Sequence, residues 1–300
     1  MKHLLKLSDL TRDELFDLLY LGDKLKAEKK AGLKRHYLDG KTLGMIFTKS
    51  STRTRVSFEV GMYELGGSAL FLSSLNTQMG RGEPVEDTAR VLSRYLDGIM
   101  IRTYEQNEVE MLAKFGSIPI INGLTDYCHP CQVLADLMTI REYKGGTKGK
   151  KLCYIGDGNN MANSLIVGGI KSGMSVSIAC PEGYKPDAGI MRWALENGEF
   201  ICTDNIEKAV SGADVLYTDV WASMGQESEA NERKKVFESY QINDGVLSCA
   251  KKDAIVLHCL PAHRGEEITG GVFEQHAEEI FDQAENRLHA QKAVMVSLMG

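Results

Sequence analysis

The densest chemistry in this chain sits in Phe47-Thr-Lys-Ser-Ser-Thr-Arg-Thr-Arg55. Hydroxyl side chains and three cations, Lys49, Arg53 and Arg55, crowd one turn that follows an apolar run and opens a helical pattern. A helix N-terminus presents unpaired N–H groups and the positive end of the helix dipole. Hydroxyls and an arginine fork added to it make a phosphate cradle. A plain capped helix accounts for Ser51 as N-cap. It does not account for two arginines at the dipole's positive end, where cations are unfavourable unless an anion balances them. The expectation is an anion site, although phosphate alone names no reaction.

Further polar groups stand at the ends of other apolar runs. Arg102 follows Ile99-Met-Ile101, and His129 and Gln132 lie in Asp126-Tyr-Cys-His-Pro-Cys-Gln132 at a helix start. Alone, the arginine reads as a surface ion pair and the histidine as structural. Emerging together from strand ends in one half of the chain, they suit the holding of a carbonyl oxygen as it gains negative charge. In the other half, Ile155-Gly-Asp-Gly158-Asn-Asn-Met-Ala-Asn163 has the shape of a dinucleotide loop but carries Met161 where the third glycine belongs. Without that glycine a helix does not pack closely beneath a pyrophosphate, so a nicotinamide cofactor is disfavoured. Helix capping explains Asn159 or Asn160, but not Asn163, which falls inside the helix. Asp219-Val-Trp-Ala-Ser-Met-Gly225 and His258-Cys-Leu-Pro261 follow two further apolar runs. Composition alone reads the first as a turn with a core tryptophan and Cys259 as a small core residue.

The elements that position these groups are legible from periodicity. Thr11-Arg-Asp-Glu14 is a capping box, and its helix runs toward Gly32. Strands are expected at 42–47, 98–101, 118–121, 151–155, 175–179, 215–218 and 254–258. Helices are expected at 51–65, 85–95 with Pro84 in the first turn, 131–143, 160–171, 187–197 and 285–298. Strands alternating with helices imply parallel sheets wound by right-handed crossovers. The glycine-rich Lys144–Lys150 is the expected domain junction. The reading is an α/β chain of two parallel-sheet domains, without internal repeats.

Bulk properties narrow the function. The 300 residues are 43% hydrophobic and 25% charged, with a formal net charge of −6, which disfavours a general nucleic-acid binder. No apolar run approaches the ~20 residues of a membrane span, and the start does not resemble a signal peptide. The expectation is a cytoplasmic protein. Seven irregularly spaced cysteines do not form a disulfide framework, and Cys128-His-Pro-Cys131 lacks the second ligand pair of a structural zinc site. Neither metal nor cofactor is expected.

Ser51-Thr-Arg-Thr54 together with His129-Pro-Cys-Gln132 resembles the paired signatures of the aspartate and ornithine carbamoyltransferase family, and the resemblance runs essentially end to end. It implies two α/β domains, residues 1–143 for carbamoyl phosphate and 144–284 for the amine, with a closing helix over 285–300 that returns to the first. It also implies that Ser51, Thr52, Arg53 and Thr54 bind the phosphate, that Arg102 bridges phosphate and carbonyl, and that His129 and Gln132 hold the carbamoyl end. Cys259 and Leu260 join that end, and Arg287 reaches back to it. Gln78 comes from a neighbouring subunit, so the assembly is a homotrimer with shared sites. Asp219, Ser223, Met224 and Asn163 match the ornithine ligands of the ornithine branch. Arg102, His129, Asp219 and Cys259 are the expected catalytic set. The Ser-Met-Gly loop and Cys259 separate this branch from the aspartate branch, whose dianionic substrate would need extra Arg or Lys. The implied reaction is carbamoyl transfer from carbamoyl phosphate to the δ-amine of L-ornithine, giving citrulline in arginine biosynthesis. A sister enzyme acting on another amine, such as putrescine, is the alternative. The charged stretches Arg264–Glu267 and Glu227–Arg233 receive no chemistry.

Overall fold

The computed structural model describes residues 1–74, 82–222, 225 and 227–300. The chain forms two compact units, Met1–Ala135 with Asn286–Gly300, and Asp136–Glu285.

In the first unit, β1 (Thr42–Phe47), β2 (Ser68–Ser73), β3 (Gly98–Arg102) and β4 (Ile120–Leu124) form a parallel sheet in the order β2-β1-β3-β4. Helices α1 (Arg12–Lys30), α2 (Thr52–Glu64), α3 (Val85–Leu92) and α4 (Gln106–Phe115) connect or precede the strands, and α5 (Pro130–Lys144) begins here. The capping box at Thr11 is formed in both directions. Three of the expected strands are β1, β3 and β4. β4 starts two residues late because Pro119 cannot donate to a ladder. β2 carries no continuous buried run. It is an edge strand with Leu70 and Phe71 exposed, and its short apolar stretch Ala69–Leu72 was not among the expected strands. Ile46, Ile99, Ile101 and Ile120 pack with Ala89, Val109 and Leu112 into one core between sheet and helices.

In the second unit, β5 (Lys151–Ile155), β6 (Ser175–Ala179), β7 (Phe200–Thr203), β8 (Val215–Thr218) and β9 (Ile255–His258) form a parallel sheet in the order β7-β6-β5-β8-β9. Helices α6 (Asn160–Lys171), α7 (Ala188–Asn197), α8 (Ile206–Val210), α9 (Ala230–Phe237), α10 (Asp244–Ser248) and α11 (Gly270–Gln275) complete it. β7 is again an edge strand without a buried run. Trp221 is a core residue here, stacked on Phe237 with ring centroids 6.2 Å apart.

The last helix, α12 (Ala277–Met299), starts eight residues before the expected position. Glu278 and Glu279 in its first turn complement the dipole there. From Asn286 onward it belongs to the first unit. There Asn286 Oδ1 accepts a buried hydrogen bond from Lys26 Nζ at 2.8 Å, and Lys292 pairs with Glu64 at 2.8 Å. A Cβ at Gly61 would meet Met295 Cε at 2.8 Å, so α2 and α12 approach as closely as a glycine allows. Among the described residues, no helix is long and apolar enough to cross a membrane.

Candidate functional site

In each sheet the strand order reverses direction once. From β1 the chain moves outward to β2, then returns to the other side for β3 and β4. From β5 it moves to β6 and β7, then returns for β8 and β9. Open α/β sheets bind ligands beyond the carboxyl ends of the strands at such switch points. The candidate residues stand there in both units.

In the first unit, Phe47 and Arg102 are register partners on β1 and β3, and the Thr48 N–H donates to the Arg102 carbonyl at 2.9 Å. The anion cradle and Arg102 therefore leave neighbouring strands at the same level. Ser51 caps α2, its Oγ accepting the Thr54 N–H at 3.2 Å. Thr52 and Arg53 are exposed, whereas Thr54 is fully buried. A cavity of about 550 Å³ opens at this turn, lined by Thr48, Ser50, Ser51, Thr52 and Arg55. Lys49 and Arg55 are both engaged within the unit. Lys49 is buried, paired with Asp126 and seated over the Tyr104 ring. Arg55 pairs with Glu59 at 2.9 Å and covers the Phe71 ring.

Arg287 on α12 donates through Nη2 to Thr54 Oγ1 at 2.8 Å. His129 ends the turn before α5 and is 4% exposed. Burial, and then the guanidinium groups of Arg287 and Arg102, hold its pKa well below the ordinary histidine value. Its imidazole is neutral at pH 7, so it offers a hydrogen bond rather than a charge. Gln132 is buried on the first turn of α5, three residues on and therefore on the same helix face. The structure thus gathers Thr54, Arg102, His129 and Arg287 around one spot beside the capped end of α2. Cys128 and Cys131 do not face it as metal ligands. Burial pushes both thiols up to about 12, and they bond to Leu5 O and Asn122 O.

In the second unit, Ile155 and Thr218 are register partners on β5 and β8. Asn159 caps α6, its Oδ1 accepting the N–H groups of Met161 and Ala162 at 2.9 and 3.3 Å. Its Nδ2 donates to Asp219 Oδ2 at 3.0 Å across the switch point. Asp219 Oδ1 accepts the Val220 N–H at 2.8 Å and the Cys259 thiol at 2.9 Å. Asp219 and Cys259 thus form one cluster with Asn159. Asn163 Oδ1 accepts the Asp187 N–H at 3.0 Å, which ties α6 to the start of α7. Leu260 follows Cys259 with φ 59°.

Gly158 of the dinucleotide-like loop is explained by the chain itself. A Cβ there would lie 2.2 Å from Pro186 N and 2.3 Å from Lys185 C, and the Gly158 N–H donates to Tyr184 O at 2.8 Å. A backbone segment occupies the space over this glycine. Two clusters of the described residues bring three possible ligand atoms within 4.8 Å, Asp219 with His258 and Cys259, and His263 with Glu266 and Glu267. In the first, the thiol is committed to Asp219 and the imidazole to Glu267 and the Leu260 N–H.

Gln78, Ser223 and Met224 lie outside the described residues. Three relationships had no sequence signal: Asn159 with Asp219, Arg233 with Asp157 at 2.8 Å, and Glu267 with His258 at 2.9 Å. Each joins residues far apart in the chain or hidden in a charged stretch.

Comparison with known proteins bears on the same residues. Residues 2–142 match the family described as aspartate/ornithine carbamoyltransferase, carbamoyl-P binding domain, and residues 148–298 match its Asp/Orn binding domain. An ornithine carbamoyltransferase from Pelobacter propionicus is 56% identical over 301 residues, covering 100% of this chain and 99% of the relative. A Pyrococcus furiosus relative named "Ornithine carbamoyltransferase, anabolic" is 53% identical over 304 residues, covering 100% of this chain and 96% of the relative. A solved structure of ornithine carbamoyltransferase from P. furiosus superposes with a TM-score of 0.96 at 53% identity, covering 100% of this chain and 97% of that one. With a capped, hydroxyl-rich turn beside Arg102, His129 and Arg287 in one unit and an Asp219–Cys259 cluster in the other, the chain belongs to the aspartate/ornithine carbamoyltransferase family.

Proposed function

We propose that this protein transfers the carbamoyl group of carbamoyl phosphate to the δ-amine of L-ornithine, releasing L-citrulline and phosphate. The observation that carries the reading is the setting of His129, neutral and buried between the charges of Arg102 and Arg287, with Arg287 bonded to Thr54 at the end of α2. Ser51, Thr52, Arg53 and Thr54 take the phosphate, with Arg102 and Arg287 balancing its charge. His129, Gln132, Cys259 and Leu260 serve the carbamoyl end. As the neutral amine attacks the carbonyl carbon, negative charge grows on the oxygen, and Arg102 with the His129 N–H stabilises it. The tetrahedral intermediate then collapses with loss of phosphate. Asp219, Asn163 and the Ser223–Met224 segment hold the amino-acid end of ornithine. Putrescine has no α-amino or carboxylate group for these residues to hold, and the relatives named above are ornithine enzymes. Citrulline synthesis, as the anabolic relative's name suggests, places the enzyme in arginine biosynthesis.

The working form is a homotrimer in which Gln78 completes a neighbour's site. Val56, Val60, Tyr63, Leu70 and Phe71 support this, since they leave an apolar stretch exposed on α2 and the edge strand β2. A cytoplasmic location fits seven free thiols, of which five are buried. The deciding assay compares carbamoyl transfer to ornithine, putrescine and aspartate. Citrulline should dominate. Equal or faster formation of carbamoylputrescine or carbamoylaspartate would overturn the assignment. Sedimentation equilibrium should return three times the chain mass.

A further inference from the structure

Glu267 lies in a charged loop, yet it is 0% exposed, as is His258 at the end of β9. Glu267 Oε1 meets His258 Nε2 at 2.9 Å and accepts the His263 N–H at 2.6 Å. On the other side of the ring, His258 Nδ1 accepts the Leu260 N–H at 2.9 Å. A backbone N–H only donates, so Nδ1 must be bare and the proton must sit on Nε2, pointing at Glu267. Glu267 thereby selects the one tautomer that can hold the Leu260 N–H. That bond matters because Leu260 has φ 59°, a conformation that residues with a Cβ keep only where their surroundings impose it. Between the two anchored residues stands Cys259, whose thiol donates to Asp219 Oδ1 at 2.9 Å. Asp219 Oδ2 in turn accepts from Asn159 Nδ2 at 3.0 Å. The contacts make an unbroken chain, Glu267 to His258 to the 259–260 turn to Asp219 to the cap of α6.

We infer that Glu267 is a positioning residue for the amine substrate. Acting through the His258 tautomer, it fixes the Cys259–Leu260 turn and so the aim of the Asp219 carboxylate. This rests on the proposed role of Asp219 in holding ornithine. A plain structural staple would move stability and both Michaelis constants alike. A positioning role moves them apart.

Three measurements on the full-length enzyme test it. Glu267→Leu keeps the bulk but removes both acceptors. Its KM for ornithine should rise ~10-fold or more, as small misplacements in a site do, and by more than the KM for carbamoyl phosphate, which loses only its Cys259–Leu260 contacts and keeps those proposed for Ser51–Thr54, Arg102 and Arg287. Glu267→Gln keeps an acceptor oxygen and should restore most of the loss. An unchanged ornithine KM in Glu267→Leu, or equal rises in both constants, overturns the inference. Should Glu267→Leu fail to fold, the wild-type enzyme still decides. The ring ¹⁵N resonances of His258, assigned by their loss in His258→Asn, should report a protonated Nε2 and a bare Nδ1, and any other state overturns it. Failure of the wild type to make citrulline would instead strike the ornithine reading, and the tautomer would remain a separate result.

Discussion

Arg287 and Thr54 are 233 positions apart in sequence, yet the guanidinium donates to the threonine hydroxyl at 2.8 Å. This bond brings a charge from the last helix to the end of α2, where the dipole's positive end otherwise discourages arginine. An anion bound there would reconcile the two. Arg287→Gln should lower kcat/KM for carbamoyl phosphate by ~10²–10³-fold, the cost of one aimed donor. The Thr54→Val, Arg287→Gln double variant should lose less than the product of the single losses, because the residues share one bond. Initial rates at saturating ornithine measure both, and strictly multiplicative losses would contradict the coupling.

His129 makes stability depend on acid. Its folded pKa lies below the ordinary value of 6.5, chiefly through burial and then through Arg287 and Arg102. The native state therefore binds fewer protons than the unfolded chain between the two values. The stability that follows is fully present above about pH 6.5 and is lost as pH falls toward the folded value. Urea midpoints of wild type should drop on acidification below pH ~6.5 more steeply than those of His129→Gln. Parallel curves would show that His129 is not the group responsible.

The reaction rate should depend on pH at the other end of the scale. The attacking amine must lose a proton from a group with a pKa near ~10, judged by lysine. With His129 neutral throughout, kcat/KM for ornithine should climb from neutral toward alkaline pH. A flat profile over that range would argue against attack by the free amine.

Asn159 has two duties, capping α6 and donating to Asp219. Asn159→Ala should cost ~1 kcal/mol in chemical denaturation, as lost N-caps do. It should also raise the KM for ornithine, since Asp219 loses a donor. Asn159→Asp keeps the cap but sets two carboxylates together, so it should retain stability better than binding.

Much of the fold was legible in the sequence. β1, β5, β6 and β8 are near-continuously buried because both faces of a parallel strand are covered, and they fell at the expected residues. The strands β2 and β7 hold short apolar stretches, Ala69–Leu72 and Phe200–Cys202, that went unassigned; they are partly exposed, whereas β4 and β9 at the opposite edges are mostly buried and were expected. The early start of α12 at Ala277 was hidden because its first turns are polar and acidic rather than periodic. At the site, motif residues stood out by type. Their holders did not: Glu267 sits in Arg264–Glu267, a stretch indistinguishable by composition from a solvated loop, and only burial against His258 reveals it. Likewise Asn159 announces a cap in any sequence, whereas its grip on Asp219 depends on β5 and β8 being neighbours.

The first unit cannot be finished by its own stretch of chain. On the ribosome, residues 1–135 emerge well before 286–300, and until then the groove at Gly61, where Met295 belongs, and the spot at Gly98, where Met299 belongs, stay open to solvent. Nascent chains with such uncovered apolar surface are the ones that aggregate or recruit chaperones. Synthesis thus leaves the phosphate-binding half unsealed until its final residues are translated, and the same late segment delivers Arg287, so closure of the core and arming of the site happen together.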